Sequence, residues 1–312
     1  MAKTVILTGG TGLIGSELFR QLRQRGDNVI VFTRDPQRAA TQLPGAAEYV
    51  HWEAYQSEGG WQEALSKADA VIHLAGAPVA QRWNDDYKRQ IYDTRVLSTR
   101  YIVQALARAA KRPSVFVSGS AVGYYGVQGY GEAVPALDES APPASDFLAK
   151  VCIDWEKEAL AAQALGVRTV VVRTGVVLST KSGALEKMLT PFRLFAGGPI
   201  GSGKQWVSWI HLDDEVGIFL FALDRADVSG ALNATAPEPV MMSVLASTLG
   251  RVLSRPSIFP VPKAALQVLF GEAADVIAEG QRVIPKRLLE LGYTFQYPRL
   301  EDALRDLIQR GK

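Results

Sequence analysis

Along the first half of the chain, short apolar and β-branched runs alternate with stretches of helical periodicity. Lys3 to Thr8 is the first run, closed by glycines, and Leu13 to Arg25 follows with Leu13, Ile14, Leu18, Phe19 and Leu22 on one helical face before Gly26 ends it. Asn28 to Thr33 predicts a second strand, Asp35 to Leu43 a short polar helix, and Glu48 to Trp52 a third strand. Ala68 to Ala75 predicts a fourth strand, and about Asn84 to Lys111 a long amphipathic helix. Ser114 to Ser118 follows as a fifth strand, Asp146 to Leu165 as a helix and Val167 to Arg173 as a sixth strand. The strands lack the alternation of a sheet with one wet face. Apolar strands separated by helices imply an α/β fold, a doubly wound parallel sheet covered on both sides.

After Leu178 the rhythm changes. Ser182 to Ala196 reads as helical, Gln205 to His211 as extended and aromatic, and Asp213 to Arg225 as a strongly apolar helix. Ala231 to Ala234 has the composition of a further strand returning to the first sheet, and short helices punctuated by prolines fill the chain from Pro237. This divides the molecule into a Rossmann-type region, 1–178 with 205–235 interleaved into it, and a smaller substrate-side region, 179–204 with 236–312.

Composition narrows the class. The 312 residues carry 34 basic and 32 acidic side chains, a balance that argues against nucleic acid or an anionic membrane as partner, since both call for a concentrated basic surface. With 47% hydrophobic residues the chain can bury a large core. A single cysteine, Cys152, makes no intrachain disulfide. The first residues lack the apolar run of a signal peptide, and no later stretch reaches the roughly 18 apolar residues of a spanning helix, so the expected address is the cytoplasm. Oligomeric state is not readable.

The glycines at 9, 12 and 15, in Thr8-Gly9-Gly10-Thr11-Gly12-Leu13-Ile14-Gly15, stand between the first strand and the first helix. G-x-x-G-x-x-G is a near relative of the dinucleotide motif: bare backbone turns sharply, approaches a pyrophosphate and offers it the unsatisfied amides of a helix start. Thr11, Leu13 and Ile14 belong to the same turn. The second strand ends Phe32-Thr33-Arg34. A carboxylate for a ribose 2′-hydroxyl is absent at Thr33, whereas Arg34 could pair with a 2′-phosphate and Arg38, a turn further, could assist or stack on adenine. NADP(H) is therefore favoured over NAD(H), with Asp35 as the feature that speaks against it.

At this point the chain resembles the extended short-chain dehydrogenase/reductases, which include sugar-nucleotide epimerases and dehydratases. The resemblance rests on Thr8 to Gly15, on Asp69 to Gly76, on Ser118-Gly119-Ser120 and on Trp209 to Asp214. Arg173 to Leu178, Pro191-Phe192-Arg193, Gly197 to Gly203, Val261-Pro262 and Gly280 to Pro285 narrow it to the atypical "epimerase family protein" subgroup, which ends in a small domain of unknown function. The resemblance implies NADP binding and places Leu74, Ala75, Gly76 and Val177 beside the cofactor, with Gln90 and Arg95 facing it from the next helix. It leaves the small-molecule substrate unidentified.

The family's proton relay is a Tyr-x-x-x-Lys pair with a serine that polarises the substrate oxygen; the lysine lowers the tyrosine pKa. Ser120 matches the serine, with Ser118 as competitor, and Lys150 lies on the expected helix, but four residues earlier stands Asp146. Either Tyr124 or Tyr125 supplies the acid from the loop after Ser120, or Asp146 only caps its helix and the protein binds cofactor without turnover, as an NADP(H)-responsive regulatory or binding protein.

Two further patterns are decoys. Gly198 to Gln205 nearly spells a P-loop, but Gln205 lacks the magnesium-binding hydroxyl and the segment precedes an extended run, so it reads as a substrate-side loop. His51, His73 and His211 show no metal-ligand spacing. His73 falls inside a buried strand as a satisfied core residue; His211 and Asp213 border the cleft, or Asp213 caps the following helix.

Overall fold

The computed structural model describes residues 2–311, apart from the side chains at 265, 269, 270 and 275–277. Its centre is a seven-stranded sheet made of β1 (Thr4–Thr8), β2 (Asn28–Thr33), β3 (Glu48–His51), β4 (Ala70–His73), β5 (Val115–Ala121), β6 (Arg168–Thr174) and β10 (Gly230–Ala234). All pairings are parallel and the spatial order is β10-β6-β5-β4-β1-β2-β3. Chain order runs outward in both directions from the β1–β4 neighbours, so the carboxyl ends of these two strands flank the switch point at which such sheets take ligands.

The absence of alternation in the strands has a direct cause. Val5 and Leu7 of β1 join one core with Val31, Val117 and Val172, while Ile6 between them joins the opposite core with Phe32, Phe116 and Val171. Both faces are dry, so successive residues must all be apolar. The first core is closed by α1 (Leu13–Gln24) and α7 (Leu212–Asp224), through Leu18, Phe19, Leu22, Val216 and Phe219. The second is closed by α4 (Asp85–Arg108) and α5 (Phe147–Leu160), through Ile102, Leu106 and Ala159. Two shorter helices, α2 (Pro36–Gln42) and α3 (Trp61–Leu65), fill the β2–β4 side. The sequence reading contains no α3: five residues behind Gly59-Gly60 are too few to show a period.

The expected return of Ala231 to Ala234 is observed, with Leu232 opposite Val172 and Ala234 opposite Thr174. The run Gln205 to His211 is not one strand. Ser208 divides it, accepting from Val283 N at 2.9 Å and donating to Gln281 O at 2.7 Å. On its two sides β8 (Trp206–Val207) pairs with β11 (Val240–Met241), and β9 (Trp209–His211) with β7 (Val176–Leu178). A third core gathers α6 (Ala184–Arg193), α8 (Met242–Leu253) and α12 (Leu300–Arg310) around Trp209. The remaining helices are α9 (Lys263–Phe270), α10 (Ala273–Ala278) and α11 (Lys286–Glu290). Among the described residues no helix is long and apolar enough to cross a membrane.

Asp146 is a helix cap. Its Oδ1 accepts from Leu148 N at 3.0 Å and Ala149 N at 3.1 Å, at the start of α5. Asp146→Ala is expected to lower stability by about 1 kcal/mol and to leave nucleotide affinity unchanged, as thermal melts and titrations of the same sample would record. A loss of affinity would return Asp146 to the site.

Candidate functional site

At the switch point β1 ends in a turn that only glycine can make. Gly9 has φ +67°, and a Cβ there would lie 2.8 Å from Leu74 C and 2.9 Å from Ala75 N. A Cβ on Gly15 would stand 2.2 Å from Gly9 O. The start of α1 carries neither a side-chain cap at Gly12 nor an acidic residue in the first turn, so its leading amides and positive dipole end are left for a ligand. This cradle fits a dinucleotide pyrophosphate.

The facing loop after β4 is held by a buried hydroxyl. Thr8 Oγ1 accepts from Leu74 N and Ala75 N, both at 3.1 Å, which commits its own proton to His73 Nδ1 at 2.8 Å. The ring N–H of His73 then sits on Nε2 and donates to Ser98 Oγ at 3.0 Å, which donates to Thr94 O at 2.7 Å. Burial pushes the His73 pKa down to about 3, so the ring stays neutral. It is the satisfied core residue expected from the sequence.

Two adjoining clefts meet over Gly9, Gly12 and Leu74. One, of about 370 Å³, takes in Thr11, Thr33, Arg34, Ala75 and Gly76. The other, of about 350 Å³, takes in Leu13, Ile14, Gly15, Arg95, Ser120 and Val177. Most of the expected cofactor residues are thus brought into one trough. Arg34 makes no ion pair among the described residues, and Asp35, the residue that argued against a 2′-phosphate, is spent as the cap of α2, accepting from Arg38 N at 2.9 Å. Arg38 and Gln90 are exposed and line neither cleft.

The groups expected to move protons are not brought together. Of Ser120, Tyr124, Tyr125 and Lys150, Ser120 alone lines the inner cleft. Lys150 is exposed, in a separate hollow with Lys88 and Tyr92, because it lies one position off the buried stripe of α5. Tyr125 is fully buried; its hydroxyl donates to Asn233 Oδ1 and accepts from Arg173 Nη1, both at 2.8 Å, and burial pushes its pKa up to about 12. The Tyr124 ring lies flat against Arg173, whose Cζ is 3.5 Å from its centroid. Tyr125, expected at the cleft as the acid, is held in the interior by this packing, and Tyr124, expected there as its alternative, lines neither cleft. Ser118 is buried and donates to Gly119 O.

Sequence reasoning missed what lies behind Ser120. Its Oγ donates to Glu156 Oε1 at 2.6 Å, and Arg173 donates to the same carboxylate through Nε to Oε1 and Nη2 to Oε2, each at 2.8 Å. All three side chains are buried. A signal was present: Ala149, Cys152, Glu156 and Ala159 fall on one face of α5, so a carboxylate interrupts an apolar stripe, and β6 carries an arginine in an apolar strand. At the rim, Thr174 Oγ1 donates to Glu215 Oε1 at 2.6 Å, and burial pushes the Glu215 pKa up to about 8.

Asp213 does not cap α7. His211 does, its Nδ1 accepting from Asp213 N at 3.0 Å, which leaves its Nε2–H for Asp306 at 3.2 Å. His211, Asp213 and Asp306 could ring a cation, and Arg310 already supplies one, at 2.7 Å from Asp213 and 3.0 Å from Asp306. The near-P-loop segment has no following helix; Gln205 Nε2 turns back to Ile200 O at 2.8 Å and β8 comes next.

Comparison with known proteins agrees with this geometry. Residues 5–234 match the NAD dependent epimerase/dehydratase family, and residues 261–307 match a domain of unknown function, DUF1731. A chloroplastic Arabidopsis thaliana protein described as an epimerase family protein SDR39U1 homolog is 42% identical over 308 residues, 98% of this chain and 87% of its own length. The solved structure of human epimerase family protein SDR39U1 with NADPH is 34% identical with a TM-score of 0.83, over 98% of this chain and 99% of that one. MoeE5, solved with UDP-glucuronic acid and NAD, is 20% identical with a TM-score of 0.77, over 99% and 100% of the two chains, and shares the fold alone. The chain belongs to the NAD dependent epimerase/dehydratase family.

Proposed function

We propose that this chain binds NADPH in the trough at the switch point and acts as an oxidoreductase or epimerase-like enzyme on a small molecule. The observation that carries the reading is the uncapped start of α1 at a turn so tight that Gly9 and Gly15 leave no room for a side chain. The human relative solved with NADPH supports it. Bound there, the coenzyme would supply or accept hydride at its nicotinamide. The chain's own part is to hold the pyrophosphate on bare amides, to wall the inner cleft with Val79, Ile91, Leu148 and Trp155, and to present Ser120.

Arg34 is the group we assign to the 2′-phosphate. Calorimetry on nucleotide-free protein is expected to give tighter binding of NADPH than of NADH, and Arg34→Ala to reduce that ratio about tenfold, the worth of one charge-assisted hydrogen-bonded contact. A ratio unchanged by the substitution would remove Arg34 from the site, and no uptake of either coenzyme would remove the reading itself.

A second reading, an NADP(H)-responsive binding protein, draws on the absence of a tyrosine-lysine pair from the cleft among the described residues. The two diverge in one assay: substrate-dependent change in NADPH absorbance across carbonyl, enone and sugar-nucleotide panels supports the enzyme, and none, with NADPH binding intact, supports the second reading.

A further inference from the structure

We infer that Glu156 fixes Ser120 as a hydrogen-bond acceptor toward the inner cleft, so that the ligand atom meeting Ser120 carries a hydrogen: the site takes a small apolar alcohol in preference to the matching ketone. A serine hydroxyl has one proton and two lone pairs. Here the proton is committed to Glu156 Oε1 at 2.6 Å, and Arg173, donating to both carboxylate oxygens at 2.8 Å, keeps that group an acceptor with nothing to return to Ser120. With the network buried, turning the hydroxyl toward the cleft would strip a buried carboxylate of a donor that no water replaces. The family serine that would polarise a carbonyl by donating is, in this chain, pointed the other way.

The neighbouring polar groups are mostly engaged with the protein itself. Thr174, the other hydroxyl of the cleft, donates to Glu215 Oε1. The Cys152 thiol is hydrogen-bonded with Ser120 and, pushed up to about 12 by burial and by Glu156, remains S–H, a weak donor that leaves Ser120 Oγ its second lone pair for the ligand. Arg95, the one charged side chain of the lining among the described residues, has two of its N–H groups committed, to Ile91 O at 3.1 Å and Ala77 O at 2.9 Å. The rest is apolar wall, suited to a hydrocarbon body. Glu156 is on this account a positioning residue that acts through Ser120.

The inference rests on the dinucleotide reading, and the experiment separates the two. Cyclohexanol and cyclohexanone are titrated, by protein-observed NMR, into nucleotide-free and NADP⁺-loaded protein, with coenzyme affinity measured in the same samples. The expected result is binding of the alcohol at least about tenfold tighter than the ketone, a ratio falling to within about twofold in Ser120→Ala. Glu156→Gln, whose amide can donate to Ser120 and free the hydroxyl proton, is expected to shift the preference toward the ketone, which a purely structural Glu156 would not do. Ser120→Ala keeps the test open if Glu156→Gln does not fold. Equal affinities in the unaltered protein, or a preference that survives Ser120→Ala, overturn the inference while leaving coenzyme binding standing. Failure to bind coenzyme with the alcohol preference intact overturns only the earlier reading.

Discussion

Gly15→Ala is expected to weaken NADPH binding about 100-fold while leaving the protein folded. The added Cβ would lie 2.2 Å from Gly9 O and 2.8 Å from Gly10 Cα, backbone atoms that cannot rotate away, so the turn itself has to move. Displacements of this kind cost roughly 1–3 kcal/mol, and at 1.4 kcal/mol per tenfold the upper part of that range is about two decades of affinity. On the proposed reading the turn is the docking surface, so the cost falls mainly on binding. Alanine is the better helix former, so α1 itself gains intrinsic propensity from the change. Gly60, where a Cβ would meet nothing within 4 Å, is the matched control. Titration of NADPH fluorescence against both variants decides the matter. Equal affinity in Gly15→Ala and Gly60→Ala would mean that the dinucleotide does not dock on this turn.

Arg173→Met is expected to cost about 3–5 kcal/mol of stability, the usual consequence of leaving one partner of a buried ion pair behind. Glu156 has 6% of its surface exposed, too little for water to take over from the guanidinium. The substitution also withdraws the donor to the Tyr125 hydroxyl and the cation lying on the Tyr124 ring. Urea unfolding followed by circular dichroism would measure the loss. The double variant Arg173→Met with Glu156→Leu is expected to recover most of it, since it removes the stranded charge. A single-variant loss under about 1 kcal/mol, the range of exposed pairs, would show that water reaches the site.

How far the sequence speaks depends on whether the signal is local. The six strands of the first half were legible because burial on both faces writes itself into consecutive apolar residues, and the glycine turn because three bare positions at fixed spacing have few other uses. The division of Gln205 to His211 at Ser208 was hidden, since the partners that bend it, Gln281 and Val283, are more than seventy positions away. Where the candidate proton-transfer residues point was hidden for a related reason. Lys150 occupies a familiar position in sequence, but a helical residue's direction is set by which face its neighbours bury, and Ala149 and Cys152 turn the lysine outward. Glu156 lies 36 positions from Ser120 and 17 from Arg173, on three different elements, so no linear motif joins them.

Strand β10 closes the edge of the sheet beside β6, yet the chain reaches it only after more than fifty residues spent elsewhere. An emerging polypeptide that has completed β6 therefore presents a bare row of amide and carbonyl groups along Arg168 to Thr174 until Gly230 to Ala234 has been made. During that interval the tract Thr169 to Val172, apolar and β-branched, is open to pairing with any passing strand. Expression of the amino-terminal half alone would make that exposure permanent, and aggregation is its natural end.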